Sequence, residues 1–187
     1  MKVIEIIKGS ASLLGLEIEC AVLDAKEFKD EVQVRAEYPN IASLFNLLKF
    51  SIKELCANYA PMVASVIVQT MNKKISVSNF ENFIRLKSVT KAGEAVKFKI
   101  INGCAEVEED GEYEVSYLTY PIVESFESDV CFLENLSPDV IILGLCAYYA
   151  LAHGMFDEFE NMHEKYIEKA ESFKGLKIFE MPARRWE

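Results

Sequence analysis

Residues 96–119, VKFKIINGCAEVEEDGEYEVSYLT, decide the fold class. Val96, Phe98 and Ile100 alternate with Lys97 and Lys99, the period of a strand with one buried face. Asn102-Gly103 follows, a dipeptide that readily supplies the two positive φ angles of a tight hairpin turn. Ala105 and Val107 begin the next strand, and Asp110-Gly111 reads as a second turn of the same kind, local and exposed at its tip. Tyr113, Val115, Tyr117 and Thr119 then alternate with Glu112, Glu114 and Ser116 until Pro121 closes the run. Upstream, residues 62–71 are rich in Val and Ile, residues 83–89 form another extended run, and Lys91-Ala92-Gly93-Glu94 reads as a turn. The expectation is an antiparallel β-meander over about 82–120.

Helical periods flank this section on both sides. Val3, Ile4, Ile7, Ala11 and Leu14 recur at helical spacing up to Gly15. Residues 16–38 are charged, with a short helix expected around 25–34. From Asn40, taken as a cap, the stripe Ile41, Leu44, Phe45, Leu48, Ile52, Leu55, Cys56 and Tyr59 predicts a long amphipathic helix that Pro61 stops. Ser137-Pro138-Asp139 opens a helix to His153 that is apolar nearly all round, and is therefore central in the core. Leu44, Leu48, Ile52 and Leu55 are expected to be buried against it. After Gly154 a last helix carries Phe159, Met162, Tyr166, Ala170 and Phe173 on one face, with Gly175 as its end.

The predicted architecture is α+β: a helical bundle of two N-terminal and two C-terminal helices with an inserted antiparallel β-meander. It forms one domain over residues 1–175, divided into a helical 1–61, a β insertion 62–121 and a helical hairpin 137–175. Residues 176–187 form an extended C-terminal arm.

A chain of 187 residues, about half of them hydrophobic, can bury a core without staples. Its net charge of −10 and lack of a clustered basic face argue against nucleic-acid binding. Cys20, Cys56, Cys104, Cys131 and Cys146 show no C-x-x-C spacing, which speaks against a disulfide framework or a zinc site and for a reducing compartment. The first residues make a poor signal peptide, and no apolar run is long enough to span a membrane.

The chemistry-bearing residues are few. His163-Glu164 would suggest a zinc helix only with a second His at 167, where Ile167 stands. His153 sits at a helix C-terminus, where an imidazole meets free carbonyls. Glu106, Glu108, Glu109, Asp110, Glu112 and Glu114 lack the regular pattern of a calcium loop and read as a solvated strand face, or else a charged docking surface. No phosphate loop, nucleophile elbow or Cys-His motif occurs. The expectation is therefore a protein that is not an enzyme and takes no cofactor or metal.

The tail offers more. Phe179, Arg184, Arg185 and Trp186, the only Trp, cluster near the end of the chain. Arg and Trp are frequent anchors of protein interfaces. Two readings stand: the tail docks on another subunit, or Ile178, Phe179 and Trp186 fold back onto the chain's own helices.

Residues 136–175, LSPDVIILGLCAYYALAHGMFDEFENMHEKYIEKAESFKG, resemble the closing helix pair of small phage and prophage structural proteins. The likeness is carried by Ala147-Tyr148-Tyr149-Ala150, by His153-Gly154-Met155-Phe156 and by the helix to Phe173. Met181-Pro182-Ala183-Arg184-Arg185-Trp186 also resembles such proteins. Ile6-Ile7-Lys8 through Leu13-Leu14-Gly15-Leu16 is similar to the first helix of head–tail connector and tail accessory factors. The resemblance implies a ring-forming virion subunit of the neck or tail, made in the host cytoplasm. Its partners would be like subunits and adjoining phage neck or tail proteins, and its acidic surface would repel passing DNA. The alternative is a non-virion binding or regulatory module with a small-ligand or protein partner.

Overall fold

The computed structural model describes residues 1–25, 31–130 and 137–176. Helices and antiparallel sheets both occur, in two compact units: Met1–Leu55 with Val123–Glu187, and Cys56–Ile122.

The first unit is helical. Among the described residues its N-terminal part holds four helices, where the expected bundle has two: α1 (Val3–Leu13), α2 (Glu17–Asp24), α3 (Glu31–Glu37) and α4 (Pro39–Asn58). Of the helix expected around 25–34, residues 26–30 lie outside the described residues and 31–34 are helical, as part of α3. Asn40 is not a cap. Proline suits the first turn of a helix because it has no N–H to leave unpaired, so α4 begins at Pro39. This puts Asn40 inside the first turn and frees its side chain for tertiary contacts. The first turn of α1 is capped from far along the chain. Val3 N–H donates to the Ser128 carbonyl at 3.0 Å, Ile4 N–H to that of Phe126 at 3.0 Å, and Val130 N–H to that of Met1 at 2.9 Å. Helix-terminal donors that would otherwise be orphaned are thereby paired.

The two C-terminal helices are α5 (Pro138–Ala152) and α6 (Phe156–Leu176). Ser137 caps α5 by accepting from the Asp139 N–H at 3.4 Å, with Pro138 in the first turn, as its sequence predicts. Gly154 supplies the left-handed φ of 73° between the helices. Gly175 does not end α6, which continues through Leu176; the rest of the predicted arm lies outside the described residues. Val140, Ile141, Leu145, Cys146, Ala147, Tyr149 and Ala150 are buried, as expected for a helix apolar on nearly every side.

Helix α5 packs along α6 and against α1. It meets α4 where Gly144 faces Ser51, and where Phe50 and Tyr148 make an edge-on ring contact at 4.9 Å. Leu44, Leu48, Ile52 and Leu55 are all buried.

The second unit carries seven strands: β1 (Met62–Gln69), β2 (Lys74–Ser76), β3 (Phe83–Lys91), β4 (Glu94–Ala95), β5 (Lys99–Ile101), β6 (Cys104–Glu106) and β7 (Glu112–Thr119). They do not form one meander. A four-stranded sheet has the order β1-β7-β3-β4, and a three-stranded sheet the order β2-β6-β5. Strand β7 pairs on both edges, so it returns to the middle of the first sheet instead of extending the second. Tyr113, Val115 and Tyr117 of β7 join Ile75, Phe80, Val89, Ala105 and Val107 in a core fed by both sheets.

Two tight turns follow the sequence reading, with positive φ at Ala92 and Gly93 and at Asn102 and Gly103. Asp110-Gly111 is not a hairpin. It carries the chain from β6 in one sheet to β7 in the other.

Two substitutions check the helical packing. Leu48→Ala is expected to cost about 2–5 kcal/mol, read from denaturant unfolding, because Leu48 is fully buried. Gly144→Ala is expected to cost about 1–3 kcal/mol, because the added Cβ would stand 2.9 Å from both Ser51 Oγ and Tyr166 Cε2. A denaturation midpoint unchanged by either would contradict the packing described.

Candidate functional site

The residues read from sequence as interaction anchors, Phe179, Arg184, Arg185 and Trp186, lie outside the described residues. The two histidines are placed by ring contacts. His153 stacks on Tyr149 at 4.1 Å and 26°, and His163 lies 5.0 Å from the ring of Phe159. The acidic run is partly used in local pairing. Glu109 bonds Lys91 at 2.6 Å, Glu106 lies 3.7 Å from Lys74, and Asp110 accepts the Lys73 N–H at 2.6 Å. The Lys91 ammonium beside it draws the Glu109 carboxyl below its ordinary range. Among the described residues no group of three or more His, Cys, Asp or Glu side chains is arranged to hold a metal ion, and no helix is long and apolar enough to cross a membrane.

The helical unit holds a polar chain that the sequence alone does not announce. Tyr149 donates its hydroxyl to Asn40 Oδ1 at 3.0 Å, and Asn40 Nδ2 donates to Glu19 at 2.6 Å. Burial, then the Glu19 charge, raises the Tyr149 pKa. Elsewhere in this unit the Tyr166 hydroxyl donates to the Glu54 carboxylate. Cys146 is buried beside the Ser10 carbonyl at 3.6 Å, and burial pushes its thiol up to about 11, an inert state for a sulfur nucleophile. These groups are consumed by one another, which suits a structural role.

Among the described residues, the outer strand β1 of the larger sheet presents an open edge. Strand β1 pairs with β7 on one side, and among the described residues no strand pairs with its other edge. Natural edge strands are usually blunted by Lys, Pro or a bulge. From Met62 to Asn72 the chain has neither charge nor proline. Its side chains alternate. Ala64 and Val68 pack on the core, while Val63 and Ile67 point outward at 52% and 67% exposure. Ser65, between them, shares a hydroxyl bond of 2.8 Å with Ser116 of β7.

Beside this edge the two sheets part. Asn72 and Lys73, at φ 61° and 59°, make a tight turn closed by the Met71–Lys74 bridge, after which β1 joins one sheet and β2 the other. The seam between them is an open groove of about 410 Å³, lined in part by Val66, Val68, Met71 and Phe80. Between the lining residues Gln69 and Met71 the chain is tied by Thr70. This buried residue donates its N–H to the Gly111 carbonyl at 2.9 Å and accepts the Gly111 N–H on its hydroxyl at 2.9 Å. The Asp110-Gly111 tip is exposed at Asp110, as expected, but it is held by the Asp110 carboxylate on the Lys73 N–H and by the Gly111 backbone on Thr70. The eleven uncharged residues do not mark the edge by themselves, since residues 38–48 form an equal uncharged run that lies largely in α4.

Thr70→Val keeps the shape but leaves the Gly111 N–H without its hydroxyl acceptor. It is expected to destabilise the protein by about 1–3 kcal/mol in thermal or denaturant unfolding. Unchanged stability would show that the tie at the seam is not needed.

No protein-family model matches the chain, and no curated protein matches it.

Proposed function

We propose that this protein works by binding other protein subunits, as a phage or prophage structural subunit of the head–tail connector or tail accessory type. The observation that carries the assembly reading is the uncharged, unblunted edge of β1, with Val63 and Ile67 held outward. An exposed edge strand offers a row of backbone donors and acceptors that an added strand can satisfy. The virion setting rests on the sequence resemblance. In this reading the helices serve as a bundle that carries the inserted sheets. Like subunits associate, and the C-terminal arm reaches an adjoining neck or tail protein. Phe179 and Trp186 supply apolar area there, and Arg184 and Arg185 pair with carboxylates, which a planar guanidinium grips in two-bonded fashion. The reaction chemistry is none, and no cofactor is required.

A second reading, a binding module for a small ligand, is favoured by a different observation. A groove of about 650 Å³ in the β unit is lined by Val96, Phe98 and Val107 together with Lys97, Lys99, Glu106 and Glu108. Apolar walls with a few charged groups are what small-molecule pockets generally present.

Deleting residues 177–187 separates the possible roles of the arm. The expected outcome is an unchanged melting temperature with loss of assembly, measured as mass in solution with and without neighbouring virion proteins. A loss of several degrees with assembly intact would place the tail in the chain's own core.

A further inference from the structure

We propose that the free edge of β1 pairs with β1 of a second copy of this chain, antiparallel about a two-fold axis at Ser65, so that two four-stranded sheets become one. The inference rests on the reading of this chain as an assembling protein, and names one contact by which it would assemble.

Three observations select a second copy as the occupant. The first is charge. Two chains of net charge −10 repel, and the contact between them is least opposed where neither contributes a charge. The segment from Met62 to Asn72 has none. A strongly basic partner would instead be drawn to the acidic residues elsewhere.

The second is register. The exposed apolar side chains of the outer face are Val63 and Ile67, two residues either side of Ser65. An antiparallel pair centred on Ser65 sets each Val63 directly opposite the other copy's Ile67, so all four are covered at once. Centring on Ala64 or Val66 leaves both without an apolar partner. The β-branched cross-strand pair is among those that stabilise sheets. Ser65 meets its own copy with a hydroxyl that can join the bond it already shares with Ser116.

The third is the inner face. The same register puts the second copy's Ala64 beside Val66 and its Met62 beside Val68. Val66 and Val68 line the open seam groove of about 410 Å³. An unbranched thioether adapts well to an irregular apolar gap. The contact is isologous, the self-complementary kind that closes at two copies.

The test uses the full chain. Light scattering over a concentration series is expected to show a doubled mass for the natural sequence. Ile67→Lys is expected to return the mass to that of one chain without lowering the melting temperature, because residue 67 points outward and neighbours Glu114 across the sheet. Ser65→Cys gives the geometric readout. Directly opposed strand residues lie within disulfide reach, so mild oxidation is expected to cross-link it, and Ala64→Cys far less.

Several results would overturn the proposal. One is a single-chain mass at every concentration, with Ser65→Cys linking no faster than the natural sequence. Equal linking of Ala64→Cys and Ser65→Cys is another, since it would mean random collision. A larger assembly that survives Ile67→Lys would overturn the β1 contact while leaving the assembly reading standing. Binding of a different virion protein at β1, blocked by Ile67→Lys in a chain that stays single, would overturn the choice of occupant alone. A chain that is single in every mixture removes both.

Discussion

The helical unit depends on how closely α5 is approached at Gly144. Ser51 of α4 and Tyr166 of α6 both come so near that a Cβ at this position would meet them at 2.9 Å. Interiors packed to crystal-like density gain their dispersion energy from such approaches, and lose it when a helix is held away by even one carbon. The near approach also lets Tyr166 lie fully buried while its hydroxyl still reaches Glu54. A second close approach occurs at Gly9 of α1, where a Cβ would stand 2.8 Å from Cδ1 of Ile142. Two glycines in helix interiors, a costly choice by propensity, are explained by the neighbours they admit.

Much of this was legible in the sequence because it follows from local periods. The stripe of α4, the all-round apolarity of α5, the Ser137-Pro138 start and the Asn102-Gly103 turn each depend on a few adjacent residues. The misreadings are of long range. Pro39 and Asn40 both suit a helix start; α4 opens at Pro39, and the Asn40 side chain instead accepts a bond from Tyr149, far along the chain. Asp110-Gly111 has hairpin chemistry, but the Lys73 N–H captures the Asp110 carboxylate and Thr70 captures Gly111. The strand after it is thereby directed to the other sheet. Conversely, Asn72-Lys73 makes a true tight turn without the glycine that would have advertised it.

The candidate site was less legible than the fold. Arg184, Arg185 and Trp186 are conspicuous in the sequence by residue type alone. The edge of β1 is marked by what it lacks, and a run of Val, Ile and Ser looks the same in a central strand as in an outer one. Only the strand order, with β7 between β1 and β3, makes β1 an edge. Its meaning as a surface therefore comes from topology and not from composition.

The backbone bonds that seat the start of α1 against residues 126–130 set an order of events during synthesis. Val3 and Ile4 cannot find their carbonyl partners until the chain has been made past Ser128, by which time residues 56–122 have already been produced. Chains are made at roughly 5–20 residues per second, so α1 waits several seconds with its first turn unpaired. The β unit is continuous in sequence and can complete its own hydrogen bonds in that interval. The helical unit, though it holds the first residues made, is the one that must finish last.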